Sequence, residues 1–322
     1  MVQPVLALVD RPDGQLTLVV RDIRREAEGV VSIVLELPDG GELPAWQPGA
    51  HVDLVLPEMV RQYSLCGSPD DRERYRLGVL REPHSRGGSA HVHEELAVGD
   101  AVEVRGPRNR FPLVEAPRYV FVAGGIGITP ILPMVAEVAG RGADWTLVYG
   151  GRSRASMAFV SELAGCGDRV QLRPQDEFGL LDLDAVCEEA GDAVFYCCGP
   201  EPLIAALETV CDRRGTELHL ERFTARQIEP DLGLERFEVH CADSDVTVTV
   251  AEQQSILDAL ITAGVDVNYD CREGTCGSCE LDVLDGEVAH RDSVYTAAEH
   301  ASMSVLFPCV SRALCNRIVL DV

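Results

Sequence analysis

Between Gln15 and Leu113, apolar and β-branched residues gather in short runs separated by turn residues. The runs are Leu16–Val20, Val30–Leu37, His51–Leu56, Gln62–Cys66, Tyr75–Leu80 and Ala101–Val104. That spacing predicts the strands of an antiparallel barrel or sandwich, and Ser89–Leu96 predicts one helix capped by Ser89. From Tyr119 to Phe223 the pattern changes. Strand-like runs at Tyr119–Ala123, Thr146–Tyr149, Val170–Leu172, Ala193–Cys197 and Leu218–Leu220 alternate with helical ones. The helical runs are Ile131–Ala139, Met157–Leu163, Asp184–Ala190 and Pro202–Arg213, and the alternation predicts a parallel sheet with helices on both faces. Ala225–Gly233, with Pro230 and mixed charge, reads as a linker. The remainder, Leu234–Val322, suits a small third domain opening with strands at Phe237–His240 and Val246–Val250 and a helix at Ser255–Ala263.

Composition agrees with a multidomain globular chain: 322 residues, 46% hydrophobic and 25% charged. A net charge of −25 disfavours nucleic acid and anionic membrane and leaves a basic protein partner open. The uncharged stretch Tyr119–Ala136 carries Gly124, Gly125, Gly127, Pro130 and Pro133, which suits a buried strand, a turn and a helix start better than a membrane span. Met1-Val2-Gln3-Pro4 lacks the cationic start of a signal peptide, so the expected location is cytoplasmic. The twelve cysteines are then expected to be reduced, as metal ligands or buried residues. Nothing demands more than a monomer. The eight histidines show no paired spacing, and His51, His84, His91 and His93 read as turn or surface residues.

Residues 271–279 read Cys-Arg-Glu-Gly-Thr-Cys-Gly-Ser-Cys, and Cys309 follows at a distance. The C-x₄-C-x₂-C…C spacing is that of a plant-type [2Fe–2S] cluster, with Cys271, Cys276, Cys279 and Cys309 as ligands. Two ferric ions bridged by sulfides need four thiolates converging from one wrapped loop and one distant strand. Gly274 and Gly277 permit the tight turns. The competing reading is a zinc site, which usually draws on two separated close pairs. Cys315 competes for the fourth position, but Phe307-Pro308-Cys309 sets Cys309 better after a strand.

Val122–Pro130 joins an expected strand to an expected helix through Gly124, Gly125 and Gly127, and Thr129 follows. Such a turn permits close backbone approach, and a helix start favours a pyrophosphate. Cys198-Gly199-Pro200 ends another strand in the same manner. Two such turns at carboxyl ends of parallel strands mark a ligand crevice. Arg152 and Arg154 lie after the second strand, either to hold adenosine ribose or its 2′-phosphate or as a solvated turn.

Arg61-Gln62-Tyr63-Ser64 supplies a cation, an aromatic plane and a hydroxyl, groups that a flavin uses. Ser85-Arg86-Gly87-Gly88-Ser89 then leads into a helix and suits a phosphate. Together with Pro107-Arg108-Asn109-Arg110-Phe111-Pro112-Leu113, the glycine turns and the C-terminal cysteines, these tracts resemble the ferredoxin–NADP reductase superfamily over nearly the whole chain. The closer likeness is to phthalate dioxygenase reductase and vanillate demethylase reductase.

That resemblance implies an antiparallel β-barrel flavin domain over 1–114, an α/β parallel-sheet NAD(P)H domain over 115–224, a linker over 225–233 and an α+β ferredoxin-like (β-grasp) domain over 234–322. It implies FMN, with Arg61, Tyr63 and Ser64 on the ring or ribityl chain and Arg86, Gly87, Gly88 and Ser89 on the phosphate. Gly124, Gly125, Gly127, Arg152, Gly199 and Pro200 would bind the nucleotide, Thr129 and Cys198 would lie near the nicotinamide, and Phe223 near the flavin. The implied activity passes electrons from NADH or NADPH through FMN and the cluster to a terminal oxygenase, of Rieske type or a haem monooxygenase. A redox-sensing subunit without turnover is the reading from another class. Where some NADH-using relatives carry an acid after the second strand, this chain has Arg152-Ser153-Arg154, so the expectation is NADH with measurable NADPH activity.

Overall fold

The computed structural model describes residues 15–57, 59–83, 87–225 and 236–322. The N-terminal tetrapeptide, His84, Ser85, Arg86 and nearly all of the expected linker lie outside the described residues.

Six strands, β1 (Gln15–Ala27), β2 (Val30–Glu36), β3 (Ala50–Leu56), β4 (Met59–Ser64), β5 (Tyr75–Leu80) and β6 (Ala101–Asn109), form one antiparallel sheet ordered β4-β3-β6-β1-β2-β5. Its two edges meet through a bridge between Leu65 and Leu77, which curls the sheet towards a barrel. Inward positions alternate along each strand, so Leu18, Val20, Ile33, Leu35, Val52, Leu54 and Val104 fill one core. Strand β1 runs past its apolar part because the polar segment Asp22–Ala27 still pairs with β2, after a register shift at Val20/Asp22. Helix α1 (Gly88–Glu94) follows β5. His51 lies buried on β3, against the expectation of a surface histidine, on the strand face opposite Val52 and Leu54, where the register with β6 shifts.

The next strands are β7 (Arg118–Gly124), β8 (Asp144–Gly151), β9 (Val170–Pro174), β10 (Val194–Cys198) and β11 (Leu218–Glu221), parallel and ordered β11-β10-β7-β8-β9. Helices α2 (Ile128–Gly140), α3 (Val160–Leu163), α4 (Gln175–Phe178), α5 (Leu183–Ala190) and α6 (Glu201–Arg214) lie between them. Strand β7 is apolar along its length because it is covered on both faces. Ile131, Met134, Val135 and Val138 of α2 pack on one side, and α5 and α6 send Leu183, Cys187, Ile204 and Leu207 to the other. Each such side chain contributes on the order of 1.5–3 kcal/mol when withdrawn from water. The expected helix at Met157–Leu163 is shorter. A 3₁₀ turn occupies Arg154–Ser156, and Phe159, in the left-handed region at φ 60°, delays the helix to Val160.

These two sheets form one compact unit that ends at Glu221. Tyr196 on β10 ties them together: its hydroxyl accepts from the Val114 amide at 2.7 Å and donates to the Pro112 carbonyl at 3.0 Å.

A second compact unit begins at Arg222. It contains β12 (Phe237–Cys241), β13 (Val246–Val250), α7 (Ile256–Thr262), β14 (Leu281–Asp285), β15 (Val288–Ala289), α8 (Ala297–His300), β16 (Val305–Leu306), β17 (Arg312–Ala313) and β18 (Arg317–Leu320). The main sheet is ordered β13-β12-β18-β14-β16, with β12 and β18 parallel, while β15 pairs with β17. Ser255 caps α7, accepting from the Asp258 amide at 2.9 Å, and the helix buries Ile256, Leu257 and Leu260 against the sheet. Among the described residues no helix is long and apolar enough to cross a membrane.

Candidate functional site

The loop after α7 wraps on itself between Cys271 and Cys279. Gly274 and Gly277 take φ values of 68° and 74°, and Arg272 also enters the left-handed region at 59°. Gly274 allows close packing as well, since a Cβ there would stand 2.6 Å from Val310 Cγ2. Arg272 is held by Asp258 at 2.9 Å and by the Tyr269 ring at 4.6 Å. Cys309 sits beyond β16, and its sulfur lies 3.4 Å from that of Cys279. Amides of Glu273 and Ser278 point at the Cys271 and Cys276 sulfurs from 3.3 and 3.5 Å. A hydrogen bond from Cys276 holds the Cys271 thiol down to about 5, and contact with Cys309 holds Cys279 below its ordinary value. Clustered sulfurs that receive backbone amides form a donor set that fits an iron–sulfur cluster. Cys315 is placed elsewhere, accepting from the Glu287 amide at 3.2 Å and reaching the Arg317 carbonyl at 3.0 Å.

In the parallel sheet the strand order reverses between β7 and β10, and both glycine turns stand there. They touch. A Cβ on Gly127 would fall 2.2 Å from the Cys198 carbonyl oxygen, and one on Gly199 would fall 3.0 Å from Gly124 Cα. The crevice thus has walls made of backbone, which lets a nucleotide approach the chain closely. Gly125 turns at φ 55°, and Thr129 in the first turn of α2 is buried, its Oγ1 donating to the Ile126 carbonyl at 2.9 Å. Gly78 on β5 brings the first sheet to the same place, because a Cβ there would lie 2.7 Å from Thr129 Cγ2. Pro200 flanks Gly124, 2.6 Å from where its Cβ would stand.

On the first sheet, Arg61, Tyr63 and Ser64 lie along β4. Arg61 runs over the start of α1, with its Cγ 2.7 Å from a Cβ imagined on Gly88, and Gly87 turns at φ 108°. A cation beside a helix start suits a phosphate. Ser89 Oγ accepts from the Glu82 amide at 3.1 Å. Burial pushes the Tyr63 phenol up to about 12. Ser64 is buried and its hydroxyl donates to Glu221 Oε2 at 3.2 Å, across 157 positions of sequence.

Glu221 is absent from the expectations drawn from sequence. It ends β11 in register with Cys198, and burial pushes its carboxyl up to about 8, partly offset by Ser64. No local signal marks it, because Leu218-His219-Leu220-Glu221 meets the Cys198 turn only through the pairing of β11 with β10. Burial also raises the Cys198 thiol, with Glu221 adding to the effect. Because the folded pKa exceeds the ordinary 4.5, the protonated carboxyl contributes stability that is complete below about 4.5 and disappears as pH rises through about 8. Urea unfolding below, within and above that window should show a falling midpoint in the wild type and a flatter one in Glu221→Gln. Parallel curves for the two proteins would remove Glu221 from this role.

The two arginines part company. Arg154 is gripped by Glu177 of α4 through Nε and Nη2 at 3.2 and 3.0 Å, while Arg152 stays exposed. Phe223, two residues beyond Glu221, is 42% exposed.

A family model described as a 2Fe-2S iron-sulfur cluster binding domain matches residues 239–314. The chain is 43% identical to the phenoxybenzoate dioxygenase subunit beta of Ectopseudomonas oleovorans, over 95% of this chain and 97% of that one. Among solved structures it is similar to phthalate dioxygenase reductase, described as a modular structure for electron transfer from pyridine nucleotides to [2Fe-2S]. The TM-score is 0.69 and the identity 34%, covering 96% of this chain and 98% of that one. It is also similar, at a TM-score of 0.89 and 43% identity, to part of an intact type IV self-sufficient cytochrome P450 monooxygenase. Here 96% of this chain spans 41% of that enzyme's length.

Proposed function

Because the chain belongs to the phthalate dioxygenase reductase family, we propose that it is the reductase component of an oxygenase system, drawing on NAD(P)H and FMN and delivering electrons to a Rieske-type terminal oxygenase. The chain is a flavin- and [2Fe–2S]-dependent oxidoreductase of that family. We assign the flavin module to 1–114, the nucleotide module to 115–224, the linker to 225–233 and the cluster module to 234–322. The observation that carries the reading is the convergence of Ser64, Glu221, Cys198 and Thr129 where the barrel meets the sheet's switch point.

A bound flavin supplies the conversion between two-electron nicotinamide chemistry and one-electron iron–sulfur chemistry. The chain's own residues supply position. Arg61 and the Gly87-Gly88-Ser89 turn hold the flavin phosphate, together with Arg86, and Tyr63 and Ser64 hold the ring and ribityl chain. Gly124, Gly125, Gly127, Gly199 and Pro200 admit the nucleotide, and Thr129 and Cys198 set the nicotinamide plane. Protonated Glu221 keeps the Ser64 hydroxyl oriented and adds no charge beside the reacting atoms. Cys271, Cys276, Cys279 and Cys309 ligate the cluster.

Flavin released by heat and separated by chromatography should be FMN, and the protein should turn over NADH with ferricyanide. Recovery of FAD would overturn the flavin identity, and lack of turnover would favour a redox sensor. The likeness to a fused P450 keeps a haem monooxygenase as the second acceptor class. Reduction of a purified Rieske oxygenase and of a purified P450, timed side by side, separates the two.

For the nicotinamide, Glu177 beside Arg154 supplies the acidic acceptor that Arg152-Ser153-Arg154 lacks, and favours a ribose hydroxyl over a 2′-phosphate. Solvent screens an exposed ion pair, so a phosphate can still compete for Arg154. The wild type should prefer NADH by kcat/KM, with measurable NADPH activity. Glu177→Gln should move the ratio towards NADPH by a few-fold at most, since an exposed ion pair is weak and screened. Arg152→Ala with Arg154→Ala should lose NADPH activity selectively. Equal changes for both donors would reduce these residues to a solvated turn.

A further inference from the structure

His290, Asp292 and His300 come together although the histidines are ten positions apart, because α8 folds back over the loop that follows β15. One nitrogen or oxygen of each lies within 4.8 Å of the others. The imidazole rings stack with centroids 3.7 Å apart and planes 21° apart. The Asp292 side chain is 0% exposed and that of His300 only 10%. Asp292 Oδ2 is used, accepting from the amides of Val294 and Tyr295 at 3.1 Å each. Oδ1 is not. It lies 3.1 Å from His300 Nε2, yet neither atom makes a hydrogen bond, nor does His290 Nδ1. Asp292 Oδ1 and His300 Nε2 stand at ion-pair distance, and a cation held by both would complete their bonding.

We propose that His290, Asp292 and His300 bind a divalent transition-metal ion of the zinc class, at a site separate from the four cluster cysteines. Two imidazoles and one carboxylate, with remaining positions open to water, suit zinc and its first-row neighbours, whereas calcium and magnesium prefer oxygen throughout. His290 also lines an open groove of about 330 Å³ with Val288, Met303 and Ser304, which provides a path from solvent. The site backs directly onto the cysteine loop. The Ser293 amide donates to the Gly274 carbonyl at 2.7 Å, and a Cβ on Gly274 would lie 3.0 Å from Asp292 Cα. A bound ion therefore stiffens the segment against which Gly274 turns.

The test uses the full-length protein with its cluster loaded, equilibrated with zinc in dialysis, with metal, iron and sulfide all measured. One zinc per chain should bind with iron and sulfide unchanged, and His300→Gln should weaken it by at least about tenfold. Identical zinc affinity in wild type and His300→Gln, no bound zinc, or zinc bound at the expense of iron would overturn the proposal. Cobalt provides a measurement that needs no variant. Its visible spectrum in the wild type should report nitrogen and oxygen ligands, and an intense thiolate-to-cobalt charge-transfer band would place the ion on cysteines and sink the assignment.

Discussion

Cys276→Ser should abolish the iron and acid-labile sulfide content of the protein while leaving its flavin bound. Cys276 is buried in the wrapped loop, and its sulfur receives the Ser278 amide. A serine hydroxyl is smaller and is not deprotonated at neutral pH, so a ligand and its charge are lost together. Transfer to an oxygenase or any other acceptor that draws on the cluster should then fall to background. Turnover of NADH with ferricyanide should stay within about twofold, because flavin-level reduction needs only the first compact unit. Metal analysis, the visible spectrum and the two activities measured on one preparation check this. A variant that keeps its iron and sulfide would show that Cys276 is not a ligand. A purified wild type holding stoichiometric zinc and no sulfide would replace the cluster by a structural site.

Gly127→Ala should be the most damaging single-methyl change in the nucleotide module. The new Cβ would sit 2.2 Å from the Cys198 carbonyl oxygen, 2.4 Å from its carbon and 2.6 Å from the Gly199 nitrogen. All three are backbone atoms, so no rotamer change relieves the overlap, and the two turns must separate. Overpacking of this kind costs roughly 1–3 kcal/mol, occasionally more. The larger consequence is catalytic. A displacement of about 1 Å between reacting partners can cost on the order of 10²-fold, and these turns set the distance between Thr129 and Cys198. Nicotinamide oxidation should therefore fall about 10²-fold with NADH and NADPH alike, with the cluster spectrum unchanged. Gly140→Ala is the control. Gly140 ends α2 with nothing within 4 Å of its imagined Cβ, so alanine should be neutral or slightly stabilising there. Equal behaviour of the two variants in steady-state kinetics and thermal unfolding would show that the contact between turns is slack.

The sequence by itself determined every feature that a short stretch of chain encodes. The cysteine spacing from 271 to 279 specifies a wrapped loop, because three ligands within nine residues constrain the backbone whatever surrounds them. The glycine turns at Gly124–Gly127 and Cys198–Pro200 were legible as strand ends for the same reason, and the apolar runs located each of the first eleven strands without any partner being known. The structure alone decided what depends on register and topology. Ser64 meets Glu221, and Arg154 meets Glu177, only because separate strands end at the same level. Strand β18 pairs in parallel with β12 from the far end of its domain, and its short Arg317–Leu320 run carries no local mark of that pairing. His290 and His300 stack only once α8 has folded back. Local geometry follows from sterics and periodicity over a few residues. Contacts between distant residues follow from which of many possible pairings buries the most apolar surface, and that choice belongs to the whole chain.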